Sequence, residues 1–333
     1  MENLEKINLR IFKNRNVLVT GATGIVGSWL IKDLLKLRCE ITGLIYKADR
    51  NSELYRSNDI RRIKIVKGPL ENIKGLTTAI KDFSIDTVFH LAAQAIVDKA
   101  HQKPFETFEA NIRGTYNLLE ACRINQRKIR AIIVASSDKA YGASKHLPYT
   151  EDMPLEGRQP YEVSKSCTDL LAQSYYHSYK LPIGIVRCGN IFGGGDLHWN
   201  RIVPGTIRSL LSKKRPIIRS DGSYVRDYIY VKDVSRALCL LTQNLLSEKY
   251  HGEAFNVSPQ EPLTVLQIVT AIQKHMGYEY LKPVIQNIAK GEIQSQYLSS
   301  VKAKKLLHWK PRYSLGQGLK ETISWYEKFS NTK

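Results

Sequence analysis

Hydrophobic positions in roughly the first half of the chain fall into short apolar blocks separated by longer segments of helical spacing. Residues 16–20 (Asn-Val-Leu-Val-Thr) form one such block and run into glycines, and from 25 to 37 apolar side chains recur every three or four positions. This order predicts strand, tight turn and helix. Further strand-like blocks lie at 40–46, 63–66, 87–91, 131–135 and 183–187, with enough chain between them for helices. The alternation predicts an α/β fold with a doubly wound parallel sheet.

After residue 187 the alternation weakens. A glycine-rich loop at 189–195 is followed by an amphipathic stretch, a short strand at 216–219 and a strand-like run at 228–231. We read 1–187 as the dinucleotide-binding part and 188–333 as a smaller α/β substrate domain that closes over the C-terminal edge of the sheet. No repeat, low-complexity segment or flexible linker separates the two, so they are expected to interweave, the first taking back the chain at about 228–250.

With 333 residues and 43% hydrophobic content, the chain can bury a substantial core. No apolar run approaches the roughly 20 residues that span a bilayer, and the opening Met-Glu-Asn-Leu-Glu-Lys carries no signal core. A cytoplasmic protein with no membrane partner is expected. The five cysteines (Cys39, Cys122, Cys167, Cys188, Cys239) are far apart and odd in number. They suggest buried thiols, with neither a metal site nor a disulfide framework. A formal charge of +19 raises the question of nucleic acid. The basic residues are scattered and no helix carries a dense Lys/Arg stripe, so no nucleic-acid partner is expected, and an anionic small substrate such as a nucleotide diphosphate suits a basic cleft.

Thr20-Gly21-Ala22-Thr23-Gly24-Ile25-Val26-Gly27 joins the first predicted strand to the first predicted helix. Its glycines allow a sharp turn and close backbone approach, and the helix start offers free N–H groups and a positive dipole end to a pyrophosphate. Roughly 20 residues after the last glycine stand Tyr46-Lys47-Ala48-Asp49. An acid there favours NAD through the 2′-hydroxyl. Lys47 suits the 2′-phosphate of NADP or simply ends a strand in solvent, and Asp49 lies close enough for the acidic part. NAD is expected, with NADP left open.

Two clusters carry chemistry: Ser136-Ser137-Asp138-Lys139-Ala140-Tyr141-Gly142 at the end of an apolar strand, and Tyr161-Glu162-Val163-Ser164-Lys165. Tyr161 and Lys165 lie one helical turn apart on one face. A free tyrosine has a pKa near ~10, and the Lys165 ammonium with a cationic nicotinamide is expected to lower it, so that Tyr161 removes a hydroxyl proton as hydride leaves carbon. Ser137 supplies a hydroxyl to orient the same alcohol.

With these residues in hand, the chain resembles the extended short-chain dehydrogenase/reductase family, of the NAD-dependent epimerase/dehydratase type, over nearly its whole length. The matching positions are Thr20 to Gly27, His90-Leu91-Ala92-Ala93-Gln94, Asn111-x-x-Gly114-Thr115, Ser137, Tyr161 and Lys165. The resemblance implies a Rossmann-type fold, a catalytic triad of Ser137, Tyr161 and Lys165, and structural support from Asn111. It implies cofactor contacts from Gly21, Thr23, Gly24, Ile25, Val26, Gly27, Lys47, Leu70, Leu91, Ala92, Ala93, Tyr161 and Lys165. It also implies a homodimer paired through helices near 104–122 and 161–179, although an apolar stripe facing its own sheet looks the same in sequence.

Within that family the chain is most similar to CDP-glucose-type 4,6-dehydratases, which carry Asp-Lys after the serine or threonine, as Asp138-Lys139 does here. The chemistry needs such a pair: once C4 is a ketone, a base must take the acidified C5 proton while an acid protonates the departing C6 hydroxyl. Asp138 would be that acid and Lys139 that base. The alternative is a cap and a solvated lysine. Gln94, Tyr141, Asn190, Arg201, Arg219 and Arg226 are expected on the nucleotide-sugar side, with Tyr141 either lining the pocket or packing, and backbone amides of the 193–195 loop are suited to the diphosphate.

Three departures bear on the nucleotide. Arg226 to Asp233 matches the R-D-Y-[IV]-x-V-x-D stretch of epimerases and other sugar-nucleotide enzymes, Gln294-Ser295-Gln296-Tyr297 offers glutamines where many relatives place an arginine, and Gly68-Pro69 replaces a usual Gly-Asp. The leading expectation is a nucleotide-sugar 4,6-dehydratase, with a 4-epimerase as alternative and a non-catalytic scaffold as a third reading.

Overall fold

A computed structural model describes residues 4–289 and 292–331. Thirteen strands are found among them: β1 (Asn16–Thr20), β2 (Glu40–Ile45), β3 (Lys64–Lys67), β4 (Thr87–His90), β5 (Ala131–Ala135), β6 (Ile183–Cys188), β7 (Asn190–Phe192), β8 (Ile217–Ile218), β9 (Val225–Tyr230), β10 (Ala254–Val257), β11 (Pro262–Thr264), β12 (Val284–Ile285) and β13 (Ser295–Gln296). β1–β6 and β10 make one parallel sheet in the order β10-β6-β5-β4-β1-β2-β3. Successive side chains of a strand point to opposite faces, and here both faces are covered. Val17, Val19 and Ile133 join one core with Leu30, Ile31 and Leu34 of the helix Ile25–Lys36 and Leu238 and Leu241 of the helix Val231–Leu246. Leu18, Val88, Ile132 and Val134 join a second core with Leu118 and Leu119 of the helix Gly114–Ile124 and Ala172 of the helix Pro160–Tyr179.

The doubly wound parallel sheet expected from the alternation is present, and its six predicted strands appear within a residue or two of their predicted bounds. The seventh, β10, was not predicted. Ala254-Phe-Asn-Val is only four residues long and interrupted by Asn256, which is buried because its side chain is hydrogen-bonded on both ends. Val225–Tyr230 belongs to the smaller sheet, where β9 is flanked by β11 and β13 and also pairs with β7. The chain regains the large sheet with the helix Val231–Leu246 and stays with it through β10. Ala303, Leu307 and Trp309 also fill a core of the large sheet.

The C-terminal ends of β1, β4, β5 and β6 present Thr20, His90, Ala135 and Cys188 along one edge, where a parallel sheet builds its site. No helix among the described residues is long and apolar enough to cross a membrane.

Candidate active site

Gly21 follows β1 at φ 69°, and a Cβ there would lie 2.8 Å from the Ala92 backbone nitrogen. A Cβ on Gly27 would lie 2.2 Å from the Gly21 carbonyl oxygen. Only glycine fits either position, so the loop folds tightly under the start of the helix Ile25–Lys36, capped at Gly24. The Thr20 hydroxyl accepts from the Leu91 and Ala92 N–H groups, both at 3.1 Å, and ties the ends of β1 and β4 together. Gly21, Thr23, Gly24, Ile25, Val26, Gly27, Leu91, Ala92 and Ala93 thus share one cradle, and its exposed helix start fits a dinucleotide pyrophosphate. Lys47 is exposed beyond the end of β2, and the Asp49 carboxylate accepts from the Asn51 N–H at 3.0 Å in its own loop. Leu70 is buried, and a Cβ on Gly114 would lie 2.8 Å from the Leu70 Cβ.

Tyr161 and Lys165 lie in the first turns of the helix Pro160–Tyr179, which begins with proline and with a capping box between Gln159 and Glu162. Both are buried, at 8% and 6% exposure. β5 delivers Ser137, whose side chain caps the short helical turn Asp138–Tyr141 and lies close enough to the Tyr161 phenol to act on it. Burial pushes the Tyr161 phenol up to about 12, and the positive charge opposing it is Arg201. Lys165 donates to the Ala135 carbonyl at 2.8 Å, and burial pushes it down to about 8.

Asn111 sits in a π-helical turn, Glu109–Arg113, a local widening often found at functional sites. Its side chain accepts from the Gln94 N–H at 2.7 Å and donates to the Gln94 carbonyl at 3.1 Å and to the Ser164 hydroxyl at 2.9 Å. Ser164 lies on the same helix as Tyr161, so Asn111 braces that helix against the loop after β4. His90 lies between the Thr20 and Thr115 hydroxyls at 3.1 and 2.9 Å, and burial, with Lys165 nearby, pushes it down to about 3. It is a neutral structural bridge.

Asp138 is 1% exposed. Its Oδ1 accepts from the Ser137 hydroxyl at 2.9 Å and from Lys139 Nζ at 3.3 Å, while its buried Oδ2 has no partner. Lys139 Nζ also reaches Asn190 Oδ1 at 3.3 Å, at the start of β7. The alternative of a solvated lysine does not fit this arrangement, in which Lys139 is turned inward onto a buried carboxyl.

The remaining sugar-side candidates separate. Arg201 pairs with Asp196 at 3.0 Å and reaches the Ala95 carbonyl at 3.3 Å. Arg226 is buried and donates to the Gln294 carbonyl at 3.0 Å, with Glu292 at 3.7 Å. Arg219 is exposed and paired with Asp98. Gln94 turns back into its own loop, donating to the Ile96 carbonyl at 2.9 Å and accepting from the Ile96 N–H at 2.7 Å. Tyr141 packs: it is 2% exposed, stacks on Tyr149 at 4.9 Å, donates to Asn256 at 2.8 Å and accepts from Arg187 at 2.7 Å. The 193–195 loop is shaped by packing as well, since a Cβ on Gly194 would lie 2.3 Å from the Trp325 ring and its carbonyl accepts from Trp29 Nε1 at 2.8 Å. Sequence reasoning missed Arg187, Asp169 and Asn256; charged or amide groups inside apolar strands and helices were the available signal.

The family described as GDP-mannose 4,6 dehydratase matches residues 18–322. The chain is 29% identical over 337 residues to a CDP-glucose 4,6-dehydratase of Salmonella typhimurium, covering 96% of this chain and 93% of that protein. A UDP-glucose 4-epimerase of Thermotoga maritima, solved with UDP-glucose, superposes with a TM-score of 0.85 at 28% identity over 94% of this chain and 98% of its own. A dTDP-glucose 4,6-dehydratase of Streptomyces venezuelae, solved with NAD and TYD, gives a TM-score of 0.85 at 26% identity over 94% and 97%.

Proposed function

Because the chain belongs to the GDP-mannose 4,6-dehydratase family, within the extended short-chain dehydrogenase/reductases, we propose that it is an NAD-dependent nucleotide-sugar 4,6-dehydratase producing a 4-keto-6-deoxy sugar. The observation that carries this reading is the contact of Lys139 with the buried Asp138 carboxyl beside Ser137 and Tyr161. The Gly21–Gly27 loop would hold NAD, which would supply a reversible hydride acceptor for C4 oxidation and for the later reduction at C6. Tyr161 takes the proton of the C4 hydroxyl, and Ser137 orients that hydroxyl. Lys139 removes the C5 proton, Asp138 gives a proton to the C6 hydroxyl, and one water leaves. Burial of Asp138 and Tyr161 keeps bulk water from competing for these protons.

On the substrate side, Asn190, Arg201 and Arg226 are the groups we assign to the nucleotide diphosphate, from the part of the chain beyond 187. A 4-epimerase, the second reading, needs only Ser137, Tyr161, Lys165 and the cofactor. It leaves the buried Asp138–Lys139 contact without a task. We also propose a homodimer through the helices that expose Phe105, Tyr116 and Leu170, and a cytoplasmic setting in which the five unpaired cysteines stay reduced.

The test is incubation with CDP-, UDP-, dTDP- and GDP-linked hexoses followed by product mass. A product lighter by one water supports dehydration; an unchanged mass with altered stereochemistry supports epimerisation.

A further inference from the structure

Lys165 lies in a buried arrangement with Asp169 and Arg187, two residues to which the reaction above gives no role. Lys165 and Asp169 are four residues apart on the helix Pro160–Tyr179, the spacing at which a lysine and an acid become neighbours on a helix. Among the described residues no ion pair joins them. Lys165 Nζ donates instead to the Ala135 carbonyl at the end of β5, at 2.8 Å. Asp169 is held by Arg187 of β6, Nε to Oδ2 at 2.8 Å and Nη2 to Oδ1 at 2.9 Å, with a further bond from Gln173 to Oδ1 at 2.8 Å. The three residues are 6%, 0% and 2% exposed, so water does not weaken these contacts.

The guanidinium is itself fixed. Its Nη1 donates to the Tyr141 hydroxyl at 2.7 Å and to the Glu151 carbonyl at 3.3 Å, and its carbon lies 4.9 Å over the Tyr141 ring. A planar fork of donors suits both oxygens of one carboxylate, which a lysine cannot match. The groups that face the Lys165 amine are His90 from β4, Cys188 from β6 and Asp169 from its own helix. Burial pushes His90 down and Cys188 up, so both are uncharged, and Asp169 is the one anion near the lysine.

We propose that Arg187 is a positioning residue for Lys165: by holding both carboxylate oxygens of Asp169, it denies the lysine an ion-pair partner on its own helix. The Lys165 amine is thereby kept at the end of β5, one turn from Tyr161. Removing the fork leaves a buried carboxylate uncompensated, and the nearest cation able to answer it is Lys165. The lysine then turns down the helix, away from Ala135. The position matters for the oxidation step common to dehydration and epimerisation, so the inference does not depend on which of these the protein performs.

The experiment follows the Lys165 amine by NMR in lysine-labelled protein without substrate, assigned by its loss in Lys165→Met. The parent midpoint is expected near about 8. In Arg187→Met it moves up by more than about one pH unit. In Arg187→Met combined with Asp169→Asn it falls back to the parent value or below, because the competing anion is gone. If Arg187→Met does not fold, Arg187→Lys, which keeps the charge but loses the fork, shows a smaller upward shift. A midpoint unchanged in the folded single variants, or a double variant as high as Arg187→Met, overturns the proposal. A shifted midpoint in a protein that removes no water from any nucleotide sugar would sink the dehydratase reading and leave this one standing.

Discussion

Lys139 Nζ stands 3.3 Å from Asp138 Oδ1 and 3.3 Å from Asn190 Oδ1. Passing one proton from the lysine to the carboxyl converts an ion pair into a neutral amine and a neutral acid with no change in net charge. In the proposed dehydration these are the forms in which Lys139 would take the C5 proton and Asp138 would protonate the C6 hydroxyl. Among the described residues the buried Asp138 Oδ2 has no hydrogen-bond partner.

Asp138→Asn and Lys139→Met each remove one half of this exchange and leave Ser137, Tyr161 and Lys165 in place. Elimination is expected to slow by about 10²–10⁴ while C4 oxidation persists. Mass spectrometry of the product and the absorbance of reduced nicotinamide separate the two steps. Full water loss by Asp138→Asn would remove the acid from the account.

If Tyr161 takes the C4 hydroxyl proton as proposed, it sets the pH dependence of oxidation. Burial raises its phenol to about 12 in the ligand-free chain, and Arg201 opposes that rise. The phenolate is the reactive form, so removing a positive neighbour raises the pH needed to reach it. Arg201→Gln should move the acid limb of C4 oxidation to higher pH, and Arg201→Lys should move it less. Stopped-flow rates across pH decide the matter; superimposable profiles would mean that Arg201 does not act on Tyr161.

At the glycine loop, Gly27→Ala places a Cβ 2.2 Å from the Gly21 carbonyl oxygen and must displace one side of the cradle. NAD affinity is expected to fall by more than about tenfold, since a shift of the backbone loses the N–H contacts to the pyrophosphate. Calorimetric titration with NAD measures this, and unchanged affinity would place the dinucleotide elsewhere.

Phe105, Tyr116 and Leu170 are 75%, 39% and 53% exposed, on the helices Pro104–Phe108, Gly114–Ile124 and Pro160–Tyr179. Leu170→Arg puts a charge in the proposed contact between copies and should convert a dimer into a 38.0 kDa monomer in sedimentation. A parent protein that already sediments as a monomer contradicts the proposed dimer.

The sheet was legible because β1, β4, β5 and β6 are short, largely apolar blocks, and burial on both faces demands that pattern; β2 carries Thr42 and Gly43 within its run, and the edge strand β3 is largely exposed. β10 escaped because Asn256 breaks its block while satisfying Tyr141 and Tyr149 in the interior. Tyr161, Lys165 and Ser137 were legible from spacing alone, since one helical turn and one strand end place them. The source of positive charge on Tyr161 was not, because Arg201 lies forty residues further along the chain and reaches it only through the fold. Likewise Tyr141 reads as pocket or packing until Arg187 and Asn256, from two separate strands, are seen to close its hydroxyl.

The most direct measurement of the central claim uses nucleotide sugar carrying deuterium at C4, supplied as the CDP- and UDP-linked hexoses. The account predicts that deuterium is carried from C4 to C6 in a product that has lost one water. Deuterium recovered at C4, with water retained and the C4 configuration inverted, would contradict it and assign the site to epimerisation.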